Sequence, residues 1–345
     1  MEAATATGGG RGVLSRPPLA RLPDGALRWG LTILAALILA LIVYFFVQLF
    51  GEAKPAFEKQ GVFGFIFDNN WNPSAGHYGA LPLVVGTLIT SGLALLIGVP
   101  VAVAAALYAS ELSPRRLRGP LTILVELLAA VPSVVYGLWG IFYLAPNLKP
   151  AEEWVSETFS FIPFIGGGTV TIPNCFIAGL VLAIMILPIV SAISREVMST
   201  VPPDHKEAAL ALGATRWEMI RIAVLPYCRP GIVGGAMLGL GRAIGETIAV
   251  TILIGGSTKM VEHLFGQSNS LAAVIANEFG EAQGVHRSAL FACGLVLFVL
   301  TLIVNGLARG FVVRAGRRSA GPPRAEQQIS TAATTALEAD TAAGA

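Results

Sequence analysis

The chain has 345 residues, 54% of them hydrophobic and 13% charged, with a mean hydropathy of +0.70. A soluble globular domain carries about 25% charged residues, so this composition excludes an ordinary soluble fold and points to an integral membrane protein. A net charge of +2 gives no footprint for nucleic acid, and Cys175, Cys228 and Cys293 have no spacing that suits a disulfide framework or a zinc site.

Residues 1–27 are rich in Gly, Ala, Pro and Arg without periodicity, which predicts a disordered tail. The apolar run 29–50 is longer than the roughly 7–15 residues of a signal-peptide core, so it reads as a retained membrane anchor. Five further runs reach the roughly 20 residues needed to cross a bilayer: 81–108, 120–144, 173–193, 232–254 and 289–313. Pro100, Pro132 and Pro188 lie inside them and predict kinks. Between the runs, 52–80, 145–172 and 255–288 mix Pro, Gly and aromatic residues, and 271–281 is expected to form a short helix at the membrane interface. The tail 316–345 again reads as disordered. The four histidines (His77, His205, His263 and His286) are scattered, and neither a metal nor a cofactor is expected.

Loop charge sets the expected orientation. With the N-terminus cytoplasmic, the inner segments hold Arg11, Arg16, Arg21 and Arg28, then Arg115, Arg116 and Arg118. They continue with Arg195, Lys206, Arg216, Arg221 and Arg229, and finish with Arg309, Arg314, Arg317, Arg318 and Arg324. The outer segments hold only Lys54, Lys59, Lys149, Lys259 and Arg287. Cytoplasmic loops carry the excess of Lys and Arg, so six spans with both termini inside are expected.

That topology puts 207–226, EAALALGATRWEMIRIAVLP, in the cytoplasm between spans four and five. Asp204 and Glu207 have the spacing of a helix-opening capping box, Gly213 suits a left-handed stop, Thr215 and Glu218 form a second box, and Pro226 is expected to end the second helix. A mere connecting loop, a DNA-binding helix–turn–helix and a docking element all fit two short helices around a turn. Membrane tethering and only two basic residues in the second helix argue against DNA. Small residues (Ala208, Ala209, Ala211) on the first helix and a Trp217, Ile220, Val224 face on the second favour docking.

The Glu207-Ala208-Ala209 triplet, Gly213 and the closing Leu225-Pro226 resemble the EAA loop of ABC-importer permeases. That resemblance implies a type I importer permease fold, all-α with six transmembrane helices, in which 81–315 forms the core, 28–80 the added first helix and outer segment, and 204–226 a coupling loop. It also implies that Glu207, Ala208, Ala209, Gly213, Trp217, Leu225 and Pro226 sit against a cytoplasmic ATPase. No GxxxxGK[ST] phosphate loop occurs in the chain, so ATP hydrolysis is expected on a partner and no catalytic residue here.

Among ionisable residues inside the runs are Glu126, Arg242 and Glu246. Each costs about 2.5–3.5 kcal/mol at a helix centre on the insertion scale, so each should face protein or water. Arg242 and Glu246 are four apart, as on one helix face, and read either as a self-neutralising pair or as an anion pathway. A guanidinium can give a tetrahedral oxyanion two parallel bonds, and a carboxylate beside it would accept from protonated phosphate but repel sulfate. The segments 79–91, 126–140 and 241–250, with WNP at 71–73, are similar to those of Pst-type phosphate permeases, of the PstC-like rather than the PstA-like subunit. This resemblance covers about 29–315 and implies a bacterial plasma-membrane protein with Arg242 and Glu246 in phosphate translocation. It further implies a homologous second permease, two ATP-binding subunits and an extracytoplasmic phosphate-binding protein as partners. Open alternatives are an importer of another oxyanion, such as molybdate or phosphonate, a proton-coupled secondary transporter using Glu126, Arg242 and Glu246 as a relay, and a membrane scaffold or sensor.

Overall fold

The computed structural model describes residues 21–319; the expected tails fall outside these residues up to 20 and from 320 on. It divides into two units, one ending at Gly51 and one beginning at Glu52. Helix α1, Arg21–Gln60, starts seven residues before the sequence placed an end to the tail, and runs ten residues past the expected anchor. A short helix α2 (Val62–Phe67) and a two-stranded hairpin follow, β1 (Trp71–Asn72) against β2 (His77–Tyr78), with Trp71 opposite Tyr78. Neither was legible in a segment with no periodic run.

The membrane core begins with α3, Leu81–Leu107, which runs through Pro100 and widens into a π turn at Tyr108–Leu112. Helix α4 (Arg115–Ala130) stops at Val131, and α5 (Ser133–Trp139) leaves at about 90° to it. Both Val131 and Pro132 are extended, because a proline ring excludes the helical region for the residue before it. Pro132 has no N–H, which frees the Leu128 carbonyl four residues back; the Tyr136 hydroxyl donates to that carbonyl at 2.8 Å. Helix α6, Ala145–Thr158, continues from α5 through a second π turn, so much of the expected outer loop is helical.

Helix α7, Cys175–Ser199, lies at the centre and is the most buried of the spans. Asn174 caps it, accepting from Ile177 N at 2.8 Å while its amide donates to the buried Glu152 at 2.9 Å. Close approach on two sides depends on glycine. A side chain at Gly98 would come within 2.9 Å of the Ala183 carbonyl, and one at Gly231 would strike Val197.

After α7 come α8 (Pro203–Ala211) and α9 (Arg216–Met219), which passes through a π turn at Ile220–Val224 into α10 (Leu225–Gly245). The expected end at Pro226 does not occur. The Leu225 N–H reaches back five residues to Ile220, and the proline falls in the first turn of the continuing helix, where it needs no donor. The fifth span instead breaks later, at Glu246, before α11 (Ile248–Leu253). Helix α12, Leu271–Glu278, forms where a short helix was expected; Leu271 to Val274 are buried in the protein, and Leu271 N donates to Thr87 Oγ1 at 3.0 Å. Helix α13, Gly284–Ser319, closes the described chain.

Among the described residues, five helices are long and apolar enough to cross a membrane, or six if the bent α4–α5–α6 unit counts as one span. That agrees with the all-α, multi-span expectation. Tyr136→Phe removes the only donor that any described contact gives the Leu128 carbonyl, so it should lower the thermal unfolding temperature of the detergent-solubilised protein, by a loss of about 1–3 kcal/mol. An unchanged midpoint would mean that water or lipid headgroup satisfies that carbonyl.

Candidate functional site

Three places carry the polar chemistry. The first is the loop of α8 and α9. Gly213 turns the chain at φ +85°, and an added Cβ there would meet nothing, so the glycine is needed for its backbone angle alone. The second capping box forms as expected: Thr215 N donates to Glu218 at 2.8 Å, and Glu218 N donates back to Thr215 Oγ1 at 3.3 Å. The first does not. Pro202 is the cap of α8 without a side-chain bond, and Asp204 lies inside the first turn, where its charge still suits the helix dipole.

The expected face of the second helix is split. Met219, Ile220 and Val224 point inward and pack with Ala106, Leu107, Met198 and Cys228, while Trp217 is 60% exposed beside Leu212 at 89%. Trp217 precedes the π turn, which begins at Ile220, and stays exposed while Ile220 and Val224 are buried. Glu207, Ala208 and Ala211 are exposed too, Ala209 and Leu225 pack partly against the inner cluster, and Pro226 is half-buried. The loop therefore has a buried side that fixes it and an open side led by Leu212 and Trp217.

An ion pair that sequence reasoning missed secures this loop. Lys206 Nζ lies 2.7 Å from Glu111 Oε1, with Glu111 only 10% exposed, joining α8 to the π turn after α3. The partners are 95 residues apart, and no periodicity links them.

The second place is the break in the fifth span. Glu246 is in an extended conformation rather than on the helix, so Arg242 and Glu246 do not form the expected i,i+4 pair. Its carboxylate instead accepts from Ala249 N at 3.5 Å, across the break. Arg242 sits in the last turn of α10, where a cation offsets the unpaired carbonyls. It is exposed and has no hydrogen bond or ion pair to another described residue, though its charge reaches the Tyr136 phenol. Helix breaks at membrane depth occur where the freed backbone lines a cavity or is buried in protein. Glu126, assigned no chemistry from sequence, lies 3.5 Å from Arg195 of α7, whose guanidinium also donates to Thr122 at 2.5 Å.

The third place is at the opposite end from the loop. Glu278 accepts from Trp71 Nε1 at 3.2 Å and lies 2.8 Å from His286 Nε2, while the His286 ring stacks on Tyr78 at 5.8 Å. Burial, and after it the Glu278 charge, push the Tyr78 phenol above its ordinary range. These contacts fix the β1–β2 hairpin to α12 and α13. Among the described residues, no group of three or more His, Cys, Asp or Glu is placed to hold a metal.

Residues 98–317 match the family model described as binding-protein-dependent transport system inner membrane component. The chain is 46% identical over 261 residues to the phosphate transport system permease protein PstC of Pasteurella multocida, covering 74% of this chain and 81% of that one. It is 42% identical to the protein of the same name from Mesorhizobium japonicum, over 83% and 88% of the two. Of solved structures, a bacterial ABC transporter that imports the acidic polysaccharide alginate superposes with a TM-score of 0.54 at 22% identity, covering 85% of this chain and 99% of that one. The last likeness shows the fold.

Lys206→Met leaves the Glu111 carboxylate largely buried without its partner. The expected result is earlier proteolytic cleavage within residues 203–216 and a stability loss of about 1–3 kcal/mol, scaled down for the partial exposure of both groups. Wild-type cleavage kinetics would show that apolar packing of Ile220 and Val224 holds the loop alone.

Proposed function

The chain belongs to the family of binding-protein-dependent transport system inner membrane components, in its PstC group, and from that premise we propose that it forms the pathway of an ATP-driven importer of inorganic phosphate. It is a non-catalytic membrane subunit. The observation that carries the substrate reading is Arg242: a guanidinium in the fifth span, at a helix break, with no ion-pair partner among the described residues. Such a group is costly in hydrocarbon unless water or an anion meets it. Its planar fork matches two oxygens of a phosphate group. Glu246, beyond the break, offers an acceptor to the proton that phosphate carries at neutral pH and sulfate does not.

Coupling runs through the α8–α9 loop. Glu207, Ala208, Ala209, Gly213 and Trp217 present the open side to a cytoplasmic ATP-binding subunit, two of which serve the transporter together with a homologous second permease. Leu225 and Pro226 carry the push from the loop into α10, and α10 ends at Arg242. Both termini are cytoplasmic, which leaves the hairpin and its Glu278–His286 support outside. There an extracytoplasmic phosphate-binding protein delivers its load. The seventeen basic residues assigned to the inner segments support this orientation.

Arg242→Ala should abolish phosphate uptake by the reconstituted transporter while the subunits still assemble; retained uptake would remove Arg242 from the pathway. Glu246→Gln should let sulfate compete with phosphate, and unchanged selectivity would place discrimination elsewhere. Trp217→Asp should leave insertion intact and sever uptake from ATP hydrolysis. Normal coupling in that variant would mean that the ATPase docks on another surface.

A further inference from the structure

Between α7, α10 and α13 lies a cavity of about 1110 Å³ that the pathway described so far does not use. Its upper end is at Gly241, next in the chain to Arg242, and it runs down α10 past Leu238 and Gly234 to Pro230. At the helical rise of 1.5 Å per residue, that is roughly 16 Å. Helix α13 forms the other wall with Leu302, Asn305, Gly306 and Arg309.

Two features set this groove apart from an ordinary packing gap. An added Cβ at Gly234, Gly241 or Gly306 would meet nothing within 4 Å, whereas one at Gly231, on the same helix, would strike Val197. Packing within the chain therefore explains Gly231 but not the other three, which keep the groove open. The second feature is polar. Asn305 interrupts the apolar sequence Leu302-Ile303-Val304, and Arg309 follows it one turn later on the same face of α13. Neither has a hydrogen bond or ion pair to another described residue: Asn305 is half-buried, where an amide needs a polar partner, and Arg309 is exposed and belongs to the basic residues assigned to the inner segments. Together they present a guanidinium fork and an amide N–H₂ and, unlike the Arg242 region, have no carboxylate among the residues lining the groove.

We propose that this groove is a second phosphate-recognition site, in which Asn305 and Arg309 hold the anion after Arg242 releases it and before it enters the cytoplasm. The proposal rests on the reading of the chain as a phosphate permease and adds its inner route. A cation on each of two helices, Arg242 next to the groove's Gly241 and Arg309 in its lining, with glycine-lined wall between, gives an anion a path without a tight trap at either end. The chemistry recognised is a phosphate group, which a phospholipid headgroup also offers, so the test must separate the two.

The complete transporter, reconstituted with its partner subunits, is measured in vesicles of phosphatidylcholine with and without phosphatidylglycerol. Gly234→Leu should fill the groove without an internal clash and stop most uptake while the second permease still co-purifies. Arg309→Gln should lower uptake about tenfold, the value of one charge-assisted bond, with part recovered in Arg309→Lys. Gly234→Cys should react with a water-soluble thiol reagent from the inner side, and inorganic phosphate should slow that reaction. The parent chain serves as the blank, since its three cysteines are buried. Wild-type uptake in Gly234→Leu and Arg309→Gln would overturn the proposal while leaving the permease reading intact. So would loss of the second permease from Gly234→Leu, which would make the groove a helix interface. Rates that follow phosphatidylglycerol content, with no protection by phosphate, would assign the groove to lipid. A parent transporter that takes up no phosphate at all would instead sink the permease reading, and protection of Gly234→Cys by phosphate would then report on the groove by itself.

Discussion

Hydrocarbon offers no partner to a freed backbone carbonyl or amide, and this constraint governs where the chain can stop being helical. It does so twice within its spans. At Val131-Pro132 the chain supplies its own remedy, the Tyr136 hydroxyl on the Leu128 carbonyl. At Glu246 it supplies two longer bonds, Thr247 Oγ1 to the Gly245 carbonyl at 3.3 Å and Ala249 N to the Glu246 carboxylate at 3.5 Å, and leaves Arg242 at the end of α10. The first break is a satisfied structural bend. The second is held by longer bonds and leaves a guanidinium without an ion-pair partner among the described residues, as expected of a place where water and an anion pass.

The rest of the core holds α10 in register for that role. Helix α7 is wedged between α3 and α10 through contacts that tolerate no side chain at Gly98 or Gly231. At the end that carries the α8–α9 loop, Met219, Ile220 and Val224 seal α9 against α3 and α7, and Lys206 fixes α8 to Glu111. Because the π turn lets the helix continue through Pro226, residues from Arg216 to Gly245 form one unbroken element. A single rod, without a hinge at the proline, thus joins the loop to the residue proposed to meet the substrate.

Hydropathy and charge made the spans, their number and the loop legible, since those signals are local and repeat along the chain. The Thr215–Glu218 box was legible for the same reason: three residues contain the whole interaction. What escaped was set by tertiary contact. The i,i+4 spacing of Arg242 and Glu246 implied a shared face, but that inference assumes a helix, and no proline marks the break. The inward packing of Ile220 and Val224, away from an exposed Trp217, is set by contact with Ala106, Leu107 and Met198, which are distant in sequence. Lys206–Glu111 and Arg195–Glu126 join segments far apart in sequence, and Glu278–His286 closes across the turn between α12 and α13; single-sequence spacing cannot pair them. The glycines of α10 read identically as small-residue repeats, yet Gly231 is closed by Val197 while Gly234 and Gly241 face open space.

The central claim is that ATP hydrolysed on another subunit moves phosphate through this chain. Its most direct measurement is accumulation of radiolabelled phosphate by vesicles containing the reconstituted transporter, with loaded binding protein outside, ATP inside and a protonophore present. The account predicts accumulation against the phosphate gradient that stops when ATP is omitted. Accumulation that ignores ATP and appears only when the protonophore is withdrawn and a proton gradient imposed would contradict it.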